Sequence, residues 1–227
     1  MKILIVSATQ QEILPLYEFL KKDTVRFAAN EFKINDIYIK LLVTGPGMVN
    51  TCFVMSRELV ITNYDVLINV GIAGSFGEVP LGSLFSIVAD RFGDFGAEDH
   101  DGRLIDIFEM GLVHHNAFPY QNGWIKLPAL SGHKSLPTAV SITVQKVTGT
   151  RQSIDEMVQS FQPNLESMEG AAFAYVAAHH SCTAYQVRSV SNRVEPRNKS
   201  NWDIPLAINK LNEFLIEYLQ DLSQKHL

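Results

Sequence analysis

The sequence predicts an α/β protein built on a largely parallel central sheet. Short β-branched runs alternate with stretches of helical periodicity, the pattern of strands joined by crossover helices. Two of the runs, at 3–6 and 65–70, are apolar enough to be strands covered on both faces. With 227 residues and 46% hydrophobic content the chain can bury one substantial core. One domain over residues 1–227 is therefore expected rather than two.

Each element has its own signal. After the strand at 3–6, residues 10–22 read as a helix in which Ile13, Leu16, Phe19 and Leu20 recur at helical spacing and Pro15 sits in the early turns. Residues 31–43 alternate as antiparallel strands do. Gly45-Pro46-Gly47 then turns the chain into a helix over 48–61. The strand at 65–70 ends in Gly71-Ile72-Ala73-Gly74-Ser75, which reads as a tight turn. From 91 to 134 there is little periodicity and much Gly, His and Asp, so loops are expected, serving as a lid or a subunit contact or else disordered. A strand at 139–147, a helix at 153–161, a short strand at 164–167, a small-residue helix at 170–179, a strand at 183–190 and a long amphipathic helix at 204–222 complete the pattern.

Charge and composition exclude several classes. A formal charge of −5 leaves no clustered Lys and Arg to neutralise phosphates, so neither nucleic acid nor an anionic membrane is an expected partner. No run of about 18 apolar residues exists, and the apolar start is too short for a signal peptide, which points to a soluble cytoplasmic protein. Cys52 and Cys182 lie far apart in apolar stretches and are expected to be buried free thiols. The adjacent pairs His114-His115 and His179-His180 point to different faces of a helix or strand and make poor metal clamps. No metal or cofactor is expected. A Walker loop, a Gly-x-Gly-x-x-Gly turn and a Gly-x-Ser-x-Gly elbow are all missing.

Four strand ends carry small or polar residues: 7–12, 71–75, 168–169 and 191–192. In an open parallel sheet ligands bind outside the carboxyl ends of the strands, so these loops form one candidate pocket. Each residue also has a plain structural use. Glu12 and Glu169 would suit a helix N-terminus, Met168 a core, and Asn192 a turn. Their common location is what points to a site.

These motifs carry a resemblance. Met1-Lys2-Ile3 leading to Glu12, Asn69-Val70-Gly71-Ile72-Ala73-Gly74, Ser167-Met168-Glu169-Gly170-Ala171-Ala172 and Arg188-Ser189-Val190-Ser191-Asn192 resemble the nucleoside phosphorylase/nucleosidase family, in the branch of methylthioadenosine/S-adenosylhomocysteine nucleosidases. The run 191–198 and Trp202 are most similar to the futalosine hydrolases of menaquinone biosynthesis. The resemblance implies a three-layer α/β/α fold with a mixed, partly parallel sheet, and a homodimer whose pocket is completed by a partner loop, for which 91–134 is the candidate. It implies substrate contacts from Ile72, Ala73 and Gly74. Glu12 becomes the general base on the attacking water, Glu169 the ribose anchor with Met168 packed on the sugar, and Asn192 the leaving-group residue.

Adenosine-type nucleosidases have an aspartate where this chain has Asn192. An amide cannot protonate a departing base, but its NH2 can donate toward N7 and O6 of a 6-oxopurine, so hypoxanthine fits better than adenine. Arg193 and Arg197 are candidates to hold a carboxylate-bearing tail. Water is the expected nucleophile, because phosphate would be repelled by Glu12 and no Arg or Lys lies between Lys2 and Lys21. The alternatives are a methylthioadenosine/S-adenosylhomocysteine or 6-amino-6-deoxyfutalosine nucleosidase, a purine nucleoside phosphorylase, and a non-catalytic nucleoside-binding module.

Overall fold

The structure is a computed structural model that describes residues 1–131 and 135–225. Its strands are β1 (Lys2–Ser7), β2 (Val25–Ala28), β3 (Glu31–Ile34), β4 (Ile37–Val43), β5 (Val66–Ser75), β6 (Leu84–Phe92), β7 (Gly96–Glu98), β8 (Leu104–Asp106), β9 (Ile125–Lys126), β10 (Thr138–Thr143), β11 (Leu165–Ser167) and β12 (Thr183–Arg193). The helices are α1 (Gln10–Asp23), α2 (Met48–Ile61), α3 (Arg151–Phe161), α4 (Gly170–His179) and α5 (Ile204–Lys225).

The main sheet runs β11-β10-β6-β12-β5-β1-β4-β3-β2, with β9 beside β6. It is mixed: β1 is parallel to β4 and β5, and β5 to β12, whereas β12 meets β6 antiparallel. β11 pairs with both β10 and β5, so β5, β12, β6, β10 and β11 close a circuit around the carboxyl end of β5. That circuit is where the site forms.

Alternation along β1 shows how the layers are built. Ile3 and Ile5 face one side, in a cluster with Ile13, Leu16 and Leu20 of α1 and Leu211, Leu215 and Leu219 of α5. Leu4 and Val6 face the other side, with Met55 and Leu59 of α2 and Phe173, Val176 and Ala177 of α4. The period of two in the strand thus feeds two helical layers, giving α/β/α. Burying each such side chain contributes roughly 1.5–3 kcal/mol.

Four expectations are corrected. Gly71–Ser75 is not a turn but the second half of β5, paired with β12 on one side and, at Gly74 and Ser75, with β11 on the other. Gly71 serves a close approach instead, since a Cβ there would stand 2.9 Å from Glu12 Oε1. Asn192 is likewise not a turn residue but lies in β12, which continues past 190 through a bulge. The region from 91 is less irregular than expected, because its first two residues end β6 and it contains β7, β8 and β9. β6 escapes a hydropathy reading because Asp90 and Arg91 interrupt its apolar run. Asp90 is fully buried and bonded to Gln186 (2.8 Å) and Thr143 (2.9 Å), while buried Arg91 pairs with Asp106 at 2.6 Å and lies 4.2 Å from the Phe161 ring centroid. The thiols of Cys52 and Cys182 are free but half-buried rather than buried. Residues 132–134, at the end of the supposed loop region, lie outside the described residues.

Candidate active site

A cleft of about 310 Å³ opens at the carboxyl ends of β1, β5 and β12 and the start of α4. Glu12, Ile72, Ala73, Gly74, Met168, Glu169, Asn192, Arg193 and Arg197 all line it. The four strand-end segments therefore converge. Pro46, Val147, Thr148, Glu166, Glu195, Trp202, Ile204 and Ile208 are among the residues that line the rest of the wall.

Glu12 is set by the start of α1. Thr9 caps the helix: its hydroxyl accepts from Glu12 N–H, and the Glu12 side chain reaches back to the Thr9 N–H at 2.9 Å, a reciprocal capping box. The Thr9 hydroxyl (2.9 Å) and Ser7 hydroxyl (3.2 Å) also donate to Oε2, and Ile72 N–H donates to Oε1 at 3.2 Å. The carboxylate is thus held from three directions, with Oε1 turned toward β5. A capping role and a cleft-lining role coincide in one side chain.

Glu169 stands at the N-cap of α4 but makes no cap bond of its own. Its Oε1 instead accepts from Gly47 N–H at 2.8 Å. Gly47 is the N-cap of α2 at φ +90°, a left-handed backbone that favours glycine. The Gly-Pro-Gly turn therefore starts a helix and also presents a backbone N–H to an anion, the carboxylate of Glu169. Burial pushes the Glu169 carboxyl up; the Gly47 N–H and the Arg188 guanidinium work against that, and Glu12 adds to it.

Arg188 had no assigned role in the sequence, although it opens one of the motifs. It is 1% exposed, bonded to Asn69 Oδ1 and, at 3.1 Å, to the Val187 carbonyl. Burial lowers its pKa, opposed by the nearby carboxylates of Glu169, Asp90 and Glu12. A Cβ at Gly71 would lie 3.7 Å from its Nη1, so the guanidinium backs the Glu12 end of the cleft. A cation thus lies beside Glu12 after all, supplied from β12. β12 buries Arg188 between Val187 and Ser189, and a buried charge costs too much to be kept without partners.

Asn192 faces the other end of β5. Its Oδ1 accepts from Ser191 Oγ (2.8 Å) and one Nδ2 hydrogen goes to the Arg193 carbonyl (2.9 Å). The flipped amide would set oxygen against that carbonyl, so the orientation is fixed and the second N–H is left over. Across the cleft Glu166, 5% exposed, accepts from Thr148 N–H (3.1 Å) and Thr148 hydroxyl (2.8 Å). Burial pushes its pKa up to about 6, against the Thr148 bonds that lower it. Glu166 and Thr148 were not singled out from sequence. At the rim, Arg193 pairs with exposed Glu78 at 3.0 Å, and the Arg197 guanidinium lies 5.2 Å from the Trp202 ring centroid.

His114, His115 and His179 make ring contacts. His114 and His115 do not diverge as expected, since they lie in a turn with rings stacked 4.5 Å apart, and His179 packs on Tyr175 and Phe118. Among the described residues, the three that converge enough to hold an ion are Asp99, His100 and Asp101, in an exposed turn that does not line the cleft. No described helix is long and apolar enough to cross a membrane.

Comparison with known proteins agrees with this geometry. A futalosine hydrolase of Streptomyces coelicolor is 32% identical over 155 residues, covering 66% of this chain and 63% of that enzyme, so the match spans slightly less than two thirds of the relative. A 5'-methylthioadenosine/S-adenosylhomocysteine nucleosidase of Maridesulfovibrio salexigens is 26% identical over 216 residues, 88% of this chain and 89% of that one. The native structure of the futalosine hydrolase of Helicobacter pylori strain 26695 superposes with a TM-score of 0.77 at 15% identity, covering 97% of each chain, a likeness of fold. The family model described as the phosphorylase superfamily matches residues 2–222, a span that takes in every segment converging on the cleft, and the chain belongs to that superfamily.

Proposed function

We propose that this chain is an N-glycosyl hydrolase of one domain, residues 1–227, that cleaves the N-ribosidic bond of the 6-oxopurine nucleoside futalosine and releases hypoxanthine. The carrying observation is Asn192, an amide with a spare N–H, in the same cleft as the Glu12 and Glu169 carboxylates. Glu169 accepts from the ribose hydroxyls, with Met168 against the sugar. Glu12 Oε1 takes a proton from water as the water oxygen bonds to C1' of the ribose. The electrons of the C1'–N9 bond leave with the base. Asn192 shares its spare N–H between N7 and O6, stabilising the charge that develops there, and solvent protonates the departing hypoxanthine.

Water fits this cleft better than phosphate. Glu12, Glu166, Glu169 and Glu195 all line it, and the charge of Arg188 is already opposed by Glu12, Glu169 and Asp90. Arg197 and Arg193 suit a carboxylate-bearing tail at the rim; the Glu78 partner of Arg193 is exposed and readily exchanged. The chain acts as a homodimer in this reading, and its free thiols suit a reducing cytoplasm.

The second reading, a methylthioadenosine/S-adenosylhomocysteine nucleosidase, is favoured by the long match to the Maridesulfovibrio relative. One assay separates them. Purified protein is incubated with futalosine, inosine, methylthioadenosine and S-adenosylhomocysteine, with and without phosphate, and free base is followed by chromatography. Hypoxanthine from futalosine without phosphate is expected. Adenine release as the dominant activity would overturn the choice.

A further inference from the structure

The strand register sets a coordinate frame on the cleft. Along β5, Gly71 lies at the level of Glu12 Oε1 and the Arg188 guanidinium. Three residues on, about 10 Å at the rise of a strand, Gly74 lies at the level of Asn192, whose Nδ2 would be 3.1 Å from a Cβ there. The same Gly74 is the paired residue of Asn192 on β12 and of Glu166 on β11. Glu166, Gly74 and Asn192 thus form one row across three strands, with the outer two about 10 Å apart by interstrand spacing. The row is at the far end of β5 from the water-activating carboxylate.

Glu166 is spare in the mechanism as drawn, and it is an expensive residue to keep. It is 5% exposed, it lines the cleft, and its described partner is Thr148, which donates twice. Thr148 carries no charge. Asp94, whose carboxylate holds the N–H groups of Gln145 and Lys146, opposes ionisation of Glu166 as well. A glutamine would bond to Thr148 equally well without the cost of burying a charge. A carboxylate offers what an amide cannot, which is acceptance at both oxygens.

Resting on the reading of the cleft as a purine nucleoside site, we propose that Glu166 is the second base-recognition residue, accepting the N1–H of a 6-oxopurine while Asn192 donates to N7 and O6 from the opposite side. Those groups follow one another along a single edge of hypoxanthine: N1–H donates, O6 and N7 accept. A carboxylate on one flank of Gly74 and an amide N–H on the other reproduce the complement in order. Adenine presents an acceptor at N1, whose lone pair would face a carboxylate oxygen with no hydrogen between them. Mismatched buried polar groups discriminate strongly between ligands. The Glu166 carboxyl, pushed up to about 6 by burial, is still ionised at pH 7.5.

Binding of free bases tests this independently of turnover. Calorimetry at pH 7.5 with hypoxanthine, adenine and 1-methylhypoxanthine is expected to show wild-type protein preferring hypoxanthine to each of the others by at least tenfold. In Glu166→Gln the amide keeps an acceptor for Thr148 N–H but presents an N–H toward N1, so the hypoxanthine-to-adenine ratio should fall at least tenfold. Equal loss of both bases would show that Glu166 only anchors the Thr148 loop and would overturn the assignment. So would an unchanged ratio, or equal wild-type affinity for hypoxanthine and its 1-methyl derivative, a measurement that needs no variant. Base selectivity without release of base from any nucleoside would sink the hydrolase reading and leave the Glu166 assignment standing.

Discussion

At the scale of single residues, the cleft is organised by where carboxylates find donors. Glu12 accepts from Ser7 and Thr9 at Oε2 and from Ile72 at Oε1, so a glutamine whose oxygen takes the Oε2 place keeps the Ser7 and Thr9 donors and gives up the Ile72 N–H alone. Glu12→Gln should therefore bind nucleoside with little change while turnover falls roughly 10²–10⁴-fold, the usual range for a lost general base. Single-turnover rates with binding measured separately check this, and a variant near the wild-type rate would refute the base assignment. Asn192 is held by Ser191 and the Arg193 carbonyl. Asn192→Asp supplies a group that can protonate a leaving base and accept from an exocyclic amine. The kcat/KM ratio of adenine over hypoxanthine nucleosides should rise at least tenfold, and a constant ratio would count against base recognition by this residue. Both side chains were legible as candidates because polar residues at strand ends are conspicuous in an apolar chain. Arg188 and Glu166 were not, because each sits inside a strand and only the register reveals what lies beside it.

At the scale of elements, most helices announced themselves. The periodicity at 48–61 and 170–179 matches α2 and α4 end to end, and Gln10–Asp23 runs through Pro15 in its second turn. Strands carrying buried polar side chains were harder to see, as β6 with Asp90 and Arg91 shows, since hydropathy cannot foresee a Gln186 or an Asp106 waiting across the fold. The same limit applies to Gly71. Read locally it marks a turn; in the folded chain it leaves room for Glu12 between β5 and α1. Gly71→Ala tests that reading. The new methyl would stand 2.9 Å from Glu12 Oε1, and Gly71 is tied into the sheet by its pairing with Arg188 on β12, so the carboxylate moves and the strand does not. The expected result is a fall in kcat of at least tenfold with the melting temperature shifted by only a few degrees. Unchanged kcat would mean that Glu12 is freer than its hydrogen bonds suggest.

At the scale of the whole molecule, one face is unfinished. α2 buries Thr51, Met55 and Leu59 but leaves Val49, Phe53, Val60 and Ile61 between 62% and 78% exposed. A shallow groove of about 570 Å³ runs over Met48, Val49, Cys52, Phe53, Ser56 and Arg57. α2 packs with α4 and Tyr120 in one cluster, and beside α4 Phe118 is 69% exposed against His179. Contiguous apolar surface of this kind marks an interaction site. Its position links it to the chemistry, because α2 begins at Gly47, whose N–H holds Glu169, and Met48, the first helical residue, lines the groove. A second copy seated on α2, as in the proposed homodimer, would contact the element that holds Glu169, the proposed ribose anchor. Such an interface needs about 800 Å² from each partner to be stable, and a charge at its centre should break it. Phe53→Glu, at an exposed position whose loss leaves the core intact, should convert a dimer into a folded monomer by light scattering. It should also lower kcat/KM at least tenfold, and wild-type specific activity should fall on dilution as subunits part. A wild-type protein that is monomeric at micromolar concentration, or a monomeric variant of full activity, would remove the dimer from the account of the site.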